Sequence, residues 1–409
     1  MKKVETMKKS LKDYRAFVSE EKIEEIELLS RDLKGARVLH INATAYGGGV
    51  AEILHTLVPL MNDAGLVADW AVIEAPGEFF ELTKRMHNAL QGKDDKMNKE
   101  DKELFVRVTR ENARRYSFGA YDYVIIHDPQ PVGLPEFVDF GEARLVWRCH
   151  IDTSSPNMDF WDFLNSHLQY YDAGVFTLRD YAKDGISIGR IVEIPPSIDP
   201  LSNKNRALSE NELKLAVKKL RVDVGRPIIS QVSRFDPWKD PMGVVDVYRA
   251  LKEEFEGLQL LMIGAMASDD PEGWEIYDDL LRYAGTDYDI KVLSNFHGIA
   301  EIEVNAAQRI SNVVLQKSIR EGFALTMSEA MWKKAPVIGG NVGGIPLQVK
   351  HGVNGYLVNS VDETIEYTGK LLRDRSLAKK FGDKGYEIVK ECFLTTRHLS
   401  DYLKLFKEL

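Results

Sequence analysis

The 409-residue chain has little cysteine, no excess of basic residues and no long apolar run. Cys149 and Cys392 are too few for a disulfide framework, and we expect both to be reduced core residues of a cytoplasmic protein. The 54 Lys and Arg residues are outnumbered by 63 Asp and Glu, and this net charge of −9 argues against nucleic acid and membrane partners. No apolar run could span a bilayer, and the Lys/Glu-rich start lacks the hydrophobic middle of a signal peptide.

What is present is a regular alternation of strand and helix patterns, in a chain long enough for two domains. Such alternation predicts βαβ units, and therefore α/β domains built on parallel sheets with helices on both faces. The expected divisions are a helical extension over 1–34, a first domain over 35–195 and a second over 196–390, with a last helix over 391–409. The consecutive prolines in Pro195-Pro196-Ser197-Ile198-Asp199-Pro200 favour an extended linker there.

The predicted strands fall into two series, and each strand is followed by a helical pattern. In the first series they are Val38–Ile41, Val67–Ile73, Tyr123–Ile126, Leu145–Ile151, Gly174–Phe176 and Ile191–Ile194. In the second they are Ile228–Val232, Leu258–Ile263, Ile290–Leu293, Val313–Gln316, Val337–Ile338 and Tyr356–Val358. Helical patterns at Ile365–Leu377 and Thr395–Phe406 close the chain.

Two cations follow the first strand of the second series. Arg234 and Lys239 both lie in the segment Ser233-Arg234-Phe235-Asp236-Pro237-Trp238-Lys239-Asp240-Pro241. Ligands of open α/β sheets bind at the carboxyl ends of the strands, which is where these side chains emerge. A guanidinium acts as a fork and an ammonium as a point charge, and together they suit a diphosphate.

A second group of candidate residues lies in the run from Arg320 to Lys333. Glu321 and Glu329 bracket a glycine turn at Gly322 and the start of a helix. The amides of the next three residues, Phe323, Ala324 and Leu325, can face an anion. Glu321 would point to the same ligand, and Glu329 would reach it two helical turns later. The alternative is a solvated helix with two incidental acids.

The order of these segments, followed by Pro336-Val337-Ile338-Gly339-Gly340, Gly343-Gly344-Ile345-Pro346 and Asn354-Gly355-Tyr356-Leu357-Val358, resembles the donor half of retaining glycosyltransferases of the GT-B fold. The resemblance covers Pro227–Val358. The acid that usually follows Gly-Gly-Ile-Pro is absent, since Leu347 and Gln348 stand there.

The resemblance implies two Rossmann-like domains that face each other across a deep cleft, with the last helix packed back on the first domain. It also implies the roles of the donor residues. Arg234 and Lys239 would bind the diphosphate, Glu321 and the amides that follow it would hold donor-sugar hydroxyls, and Glu329 would bind the ribose. Two cations on the diphosphate make a required metal unnecessary, although Mg²⁺ could stimulate by binding the free nucleotide. The acidic pair in Asp287-Tyr288-Asp289 is the alternative metal site.

The first domain carries a glycine loop and a polar segment at two strand ends. Gly47, Gly48 and Gly49 open a helix, but Glu52 stands where a dinucleotide fingerprint needs its third glycine, so NAD binding is disfavoured. A purely structural glycine turn stays open. His150 could contact the transferred sugar and Asp152 an acceptor hydroxyl, or Asp152, Thr153 or Ser154 could cap the helix before Met158. His127-Asp128-Pro129-Gln130 could also line the cleft or form a plain loop.

These first-domain motifs narrow the resemblance. The runs His40-Ile41-Asn42-Ala43-Thr44-Ala45-Tyr46-Gly47-Gly48-Gly49-Val50-Ala51-Glu52-Ile53-Leu54 and Trp147-Arg148-Cys149-His150-Ile151-Asp152-Thr153-Ser154 resemble the trehalose glycosyltransferring synthases. The likeness implies acceptor contacts from Asn42, Gly47, Gly48, Gly49 and Asp152, and a catalytic contact from His150 beside Glu321, Arg234 and Lys239. The implied partners are ADP-, UDP- or GDP-glucose, glucose and trehalose, and a homodimer is open.

Several alternatives remain at this level. Trehalose phosphorylases share both first-domain motifs and would use glucose 1-phosphate, while sucrose-type and sugar-phosphate synthases fit less well. A nucleotide-sugar epimerase would need no acceptor pocket. A non-catalytic nucleotide-sugar sensor would need no group that stabilises a leaving diphosphate, so Arg234, Lys239 and Glu321 weigh against it.

Overall fold

The computed structural model describes residues 1–115, 119–266 and 271–409, which group into two units. The first unit comprises Met1–Ser197 together with Thr395–Leu409, and the second comprises Ile198–Leu394. The chain passes from one unit to the other between Ser197 and Ile198, inside the proline-rich segment. Proline fixes φ and donates no backbone hydrogen bond, so this segment stays extended and joins neither sheet.

The first unit alternates strands and helices from its start. Its elements are β1 (Lys2–Lys3), α1 (Glu20–Arg31), β2 (Arg37–Asn42), α2 (Gly49–Asp63), β3 (Val67–Val72), α3 (Gly77–Leu90), α4 (Lys99–Arg115), β4 (Tyr123–His127), β5 (Arg144–Arg148), α5 (Met158–Leu168), β6 (Ala173–Phe176) and β7 (Ile191–Glu193).

Within the described residues, the sheet of the first unit has the order β1-β3-β2-β4-β5-β6-β7. All its pairs are parallel except β1 with β3, an antiparallel edge pair of two residues that the sequence patterns did not predict. One face packs its apolar side chains, including Ile126 and Trp147, against α3, α4 and α5. Along each strand, the side chains on that face alternate with side chains that point to the opposite face, as the two-residue period of a strand requires.

The second unit is a further β/α series. Its elements are α6 (Glu210–Leu220), β8 (Ile228–Val232), α7 (Pro241–Leu251), β9 (Gln259–Gly264), α8 (Pro271–Ala284), β10 (Ile290–Ser294), α9 (Glu301–Ile310), β11 (Val313–Gln316), α10 (Leu325–Trp332), β12 (Val337–Gly340), α11 (Ile345–Gln348), β13 (Gly355–Val358), α12 (Val361–Arg373) and α13 (Arg375–Cys392). Its described strands form a parallel sheet in the order β10-β9-β8-β11-β12-β13.

The last helix, α14 (Thr395–Glu408), belongs to the first unit, where it packs on α1 and α2. It also covers one face of the first sheet. Phe406 stacks on Tyr123 with ring centroids 4.3 Å apart, and the Tyr123 hydroxyl donates to the Phe406 carbonyl at 2.8 Å. The helix thereby buries the sheet face opposite to Trp147.

Three sequence expectations need correction. The strand predicted over Leu145–Ile151 ends at Arg148, because the chain turns away and the His150 amide donates to the Asp128 carboxylate instead. The helix predicted over Ile365–Leu377 is two helices, α12 and α13, since the Asp374 carboxylate accepts from the Leu377 amide and caps a new helix. Cys392 is exposed at the end of α13, whereas Cys149 is buried.

Close packing of α13 on the turn after α10 generates a stability prediction. A Cβ placed on Gly382 would lie 2.0 Å from the Lys334 carbonyl oxygen, so the backbone must move to accept any side chain. We expect Gly382→Ala to lower the free energy of unfolding by about 1–3 kcal/mol, the usual cost of overpacking. Urea unfolding followed by circular dichroism measures the loss.

Gly369→Ala on α12 is the matched control, because the atoms closest to its added Cβ belong to the flexible Arg373 side chain, at 3.3 Å. Alanine also favours a helix interior over glycine by about 1 kcal/mol, so little net change is expected there. Equal losses in both variants would contradict the close approach at Gly382.

Candidate active site

The strand order of the second unit reverses beside β8, which has β9 on one side and β11 on the other. Loops that leave the carboxyl ends of β8 and β11 therefore diverge into helices on opposite faces, and a crevice opens between them. The two loops are joined at their bases, where the Ile319 amide donates to the Trp238 carbonyl at 2.8 Å. Of the predicted donor residues, Arg234 and Lys239 follow β8, and Glu321 follows β11.

Lys239 and Glu321 meet at this point. The Lys239 ammonium lies 2.7 Å from Glu321 Oε2, and both side chains are nearly buried, at 13% and 11% exposure. The same carboxylate oxygen accepts from the Ser318 hydroxyl at 3.2 Å and from the Gln316 amide at 3.5 Å. Several donors therefore hold the Glu321 carboxylate in one orientation at the mouth of β11.

Arg234 is more loosely held. Its guanidinium donates to Asp236 Oδ2 at 3.1 Å while 47% of the side chain is exposed. The buried Asp236 also accepts from the Trp238 amide at 2.9 Å and so shapes the turn that presents Lys239. Ion pairs at such exposure contribute little to stability, so the contact with Asp236 is weak.

The turn after Glu321 leads into α10 through an unusual backbone conformation. Ala324 is the N-cap of α10 at φ 69° and makes no side-chain capping bond. Gly344 fits beneath this turn, since a Cβ there would lie 2.5 Å from the Gly322 carbonyl oxygen. Because α10 begins at Leu325, only this one of the three predicted amides belongs to the first turn of the helix. Anion binding by the amides of Phe323, Ala324 and Leu325 stays a prediction.

Gln348 holds this turn from below, and the sequence alone did not reveal its part. The buried side chain donates through Nε2 to the Phe323 and Ala324 carbonyls, and its Oε1 accepts from the Ser328 hydroxyl at 2.6 Å. A carboxylate at this position would meet two carbonyl oxygens with no proton to donate. The position two residues after Gly-Gly-Ile-Pro thus carries an amide that supports the turn.

Glu329 lies inside the unit. Its side chain is fully buried, with Oε2 accepting from Gln308 Nε2 at 3.3 Å and Oε1 at 3.8 Å from the Lys204 ammonium. The structure thereby brings in Lys204, a residue that no sequence pattern had indicated. Ribose binding by Glu329 stays a prediction, and it requires this enclosed carboxylate to become accessible.

In the first unit, the glycine loop follows β2. Gly47, Gly48 and Gly49 are exposed, and Gly48 caps α2 at φ 125° with open space around its Cα. Asn42 is buried, and its amide bridges the Thr44 carbonyl at 2.8 Å and the Trp70 indole at 2.7 Å. The side chain of Asn42 thus shapes the loop, and ligand binding by the amides of Gly47, Gly48 and Gly49 stays a prediction.

Asp152 forms a local turn after β5. Its Oδ1 accepts from the amide and the hydroxyl of Ser154, at 3.0 and 2.7 Å. The alternative that Asp152, Thr153 or Ser154 caps α5 is wrong, because the N-cap is Asn157, which accepts from the Asp159 amide at 3.1 Å. Oδ2 makes no hydrogen bond to the described residues.

His150 lies beside His127, with its Nε2 3.2 Å from His127 Nδ1 and the two rings nearly parallel at 14°. The Asp128 carboxylate accepts from the His150 amide at 2.8 Å, and burial raises the pKa of Asp128 to about 6. Burial and the neighbouring Arg148 and His398 hold the pKa of His150 well below its ordinary value. The imidazole is therefore neutral near pH 7.

Asp287 and Asp289 are each paired with a cation. Asp287 lies 2.5 Å from the Lys252 ammonium and accepts from the Tyr248 hydroxyl at 3.1 Å, while Asp289 lies 2.6 Å from Arg226. Across residues 1–115, 119–266 and 271–409, no three His, Cys, Asp or Glu side chains group as a metal site. Over the same ranges, no helix combines the length and apolarity needed to cross a membrane.

Two family models match the chain in succession. Residues 40–183 match the trehalose synthase N-terminal domain, and residues 178–388 match glycosyl transferases group 1. The chain is 49% identical over 398 residues to a trehalose synthase of Thermococcus litoralis, which covers 97% of this chain and 96% of that protein. It is 49% identical over 405 residues to a trehalose synthase of Rubrobacter xylanophilus, covering 98% and 97%.

More distant similarities extend to a phosphorylase and to solved structures. A trehalose phosphorylase of Pleurotus pulmonarius is 28% identical over 400 residues, which are 86% of this chain and 54% of that protein. A trehalose-6-phosphate synthase superposes with a TM-score of 0.73 at 15% identity, covering 91% of this chain and 99% of that one. An Anabaena protein solved in complex with UDP and glucose gives 0.65 at 15% identity, covering 91% and 100%. These structures have the GT-B fold, which confirms the fold predicted from the sequence.

Because Gln348 holds the turn before α10, its replacement should loosen that turn. In Gln348→Glu, the turn loses both amide donors and gains a buried acid, and an unsatisfied buried group costs about 1–3 kcal/mol. We expect the backbone amides of residues 321–328 to exchange with deuterium about tenfold faster or more, as measured by mass spectrometry of peptides from the native protein.

Gln259→Glu is the matched control. Gln259 is also buried and its Nε2 donates to the Asp223 carbonyl at 2.8 Å, but it lies at the amino end of β9. Exchange in residues 321–328 should not change in this variant. Unchanged exchange in Gln348→Glu would show that the turn does not depend on the glutamine.

Proposed function

The chain belongs to the trehalose synthase family of GT-B glycosyltransferases, and from that premise we propose that it transfers glucose from a nucleoside-diphosphate-glucose to free glucose. The product is α,α-trehalose, formed reversibly and with retention at the donor anomeric carbon. The observation that carries the proposal is the contact of Lys239 with Glu321 at the reversal of strand order, with Arg234 on the same loop as Lys239. A donor with an anionic leaving group and a neutral sugar calls for cations and a carboxylate placed together.

The donor residues act on the developing charge. As the bond to the diphosphate breaks, negative charge gathers on the leaving group, and preorganised cations stabilise it most when they are already in place. Lys239 is held by Glu321, and Arg234 can swing from Asp236 to the phosphate. The Glu321 carboxylate and the amides of Phe323, Ala324 and Leu325 hold hydroxyls of the donor sugar. Glu329 binds the ribose hydroxyls.

The proposed acceptor site uses residues of the first unit. The amides of Gly47, Gly48 and Gly49 and the Asp152 carboxylate hold hydroxyls of the acceptor glucose, and His150 contacts the transferred sugar. Asn42 contributes by shaping the glycine loop. Attack occurs on the face that the diphosphate leaves, and the departing phosphate accepts the acceptor proton. The proposal includes no required cofactor; Mg²⁺ stimulates at most by binding the free nucleotide.

Support for the nucleotide donor comes from two sides. The Anabaena protein of the same fold was solved with UDP and glucose, which fits ADP-, UDP- or GDP-glucose as the substrate class. The phosphorylase similarity is weaker and spans about half of that protein's length, whereas the trehalose synthases match from end to end. If trehalose cleavage requires inorganic phosphate as the co-substrate, the product assay below contradicts the proposal.

The product assay tests the proposal directly. Incubation of the protein with glucose and ADP-, UDP- or GDP-glucose should yield α,α-trehalose, identified by NMR, and an equal amount of nucleoside diphosphate. Trehalose plus the nucleoside diphosphate should run the reaction backwards, because the bond between two anomeric carbons is relatively activated. Trehalose cleavage that needs inorganic phosphate instead would establish a phosphorylase, and failure of glucose to act as acceptor would refute trehalose synthesis.

The cation assignment has its own prediction. Lys239→Ala and Arg234→Ala should each lower kcat about 100-fold or more, since removal of one charge-stabilising donor typically costs this much. The matched control is Lys252→Ala, because Lys252 also forms an ion pair in the second unit, with Asp287, but lies at the end of α7. If both cation variants have steady-state rates close to that of Lys252→Ala, Arg234 and Lys239 do not stabilise the diphosphate.

A further inference from the structure

Three imidazoles form a hydrogen-bonded chain in the first unit. His40 Nδ1 lies 3.0 Å from His127 Nε2, and His127 Nδ1 lies 3.2 Å from His150 Nε2. The register explains the line: His40 pairs with Ile125, two residues before His127, and His127 pairs with Arg148, two residues before His150. Side chains two apart share a face of a strand, so His40 and His127 project from the face opposite to Trp147. The His150 ring, just past the end of β5, stacks on the His127 ring.

The surroundings keep this chain neutral. Burial lowers the pKa of His40 to about 3, and burial with the neighbouring His40, His150 and Arg148 holds the pKa of His127 well below its ordinary value. Arg148 is fully buried beside the chain. Polar groups packed near the three rings include Asp128, Tyr402, His398 and Arg397, and the Ser197 hydroxyl lies 2.8 Å from His398 Nδ1. A cation among buried imidazoles disfavours a second positive charge on them.

A neutral imidazole has one donor and one acceptor nitrogen, so a chain of three has only two consistent arrangements. In the first, protons lie on Nδ1 of each ring, and the His150 Nδ1–H is a donor that no other ring of the chain accepts. In the second, protons lie on each Nε2, and the terminal His40 Nε2–H is a donor. His40 Nε2 is buried and has no hydrogen-bond partner among the described residues. A buried donor without an acceptor is rarer than an acceptor without a donor, which favours the first arrangement.

We propose that His127 and His40 are positioning residues that fix His150 as the Nδ1–H tautomer, so that His150 presents a hydrogen-bond donor to a sugar oxygen. The choice of proton site on one imidazole nitrogen is set by the bond that the other nitrogen makes. His150 Nε2 accepts from His127, and this leaves Nδ1–H as the group that meets the ligand. The sugar contact rests on the proposed function, whereas the tautomer does not.

The tautomer can be measured on the unmodified protein. Two-dimensional ¹H–¹⁵N long-range correlation spectra of ¹⁵N-histidine-labelled protein at pH 7 distinguish the two nitrogens of each ring, and a His150→Gln sample assigns the His150 signals. The expected result is a single Nδ1–H tautomer at His150, His127 and His40. An Nε2–H tautomer or an imidazolium at His150 would overturn the proposal, whatever the activity of the protein.

Variants of His127 separate positioning from packing. His127→Phe keeps a ring in the chain but removes both nitrogens, so His150 should become a mixture of tautomers and kcat should fall about tenfold or more, as when a group that orients an imidazole is lost. His127→Gln keeps one acceptor and one donor. It should recover part of the rate and of the Nδ1–H signal.

The matched control is His167→Phe, because His167 is also a buried histidine of the first unit but pairs with Glu136 on the opposite face of the sheet. Its His150 tautomer should equal that of the unmodified protein. If His127→Phe lowers kcat with no change in the His150 tautomer, or if Gln restores nothing, His127 supports only the packing. Loss of the synthase reaction in the unmodified protein with the Nδ1–H tautomer intact would refute the proposed function alone.

Discussion

In each sheet, the first long parallel strand has a later strand on either side of it. β3 and β4 lie on the two sides of β2, and β9 and β11 lie on the two sides of β8. Right-handed crossovers then place the following helices on opposite faces, and the loops at the carboxyl end of the first strand are left uncovered. Several of the candidate site residues lie at this reversal. Lys239 and Glu321 leave neighbouring strands of one sheet, and the glycine loop and His127 leave neighbouring strands of the other.

The two cations of the second unit differ in what holds them. Lys239 and Glu321 are both largely shielded from water, where an ion pair interacts strongly but also loses hydration, so the pair is fixed in place by its additional hydrogen bonds. Arg234 is half exposed, and water screens its contact with Asp236. For the proposed diphosphate ligand, the Lys239 ammonium needs no reorganisation, whereas the Arg234 guanidinium would give up a contact that water screens.

The sequence predicted those features that depend on local pattern. Strand ends rich in polar residues located Arg234, Lys239, Glu321 and His150, because parallel strands deliver their carboxyl ends to one edge. It could not show that Glu329 is enclosed, since two helical turns of spacing say nothing about what packs over the side chain. Nor did it show Gln348 beneath the turn, because that contact joins α11 to α10 in space. The sequence pattern did not show the boundary between α12 and α13, because one aspartate, Asp374, ends the first helix and caps the next.

The residues that reach a ligand in the two units differ in charge. The groups proposed in the second unit are the full charges of Lys239, Arg234 and Glu321. Those proposed in the first are one carboxylate, Asp152, with backbone amides of a glycine loop and an imidazole kept neutral by burial. A neutral chain of imidazoles transmits a fixed hydrogen-bond direction, which a protonated chain could not do because each imidazolium only donates. Sugar hydroxyls are themselves neutral donors and acceptors, so direction, and not charge, distinguishes one orientation of the ring from another. The buried Arg148 beside the histidines therefore helps to keep them uncharged. Neutral imidazoles suit the sugar of the proposed reaction, and the cations of the second unit suit its diphosphate.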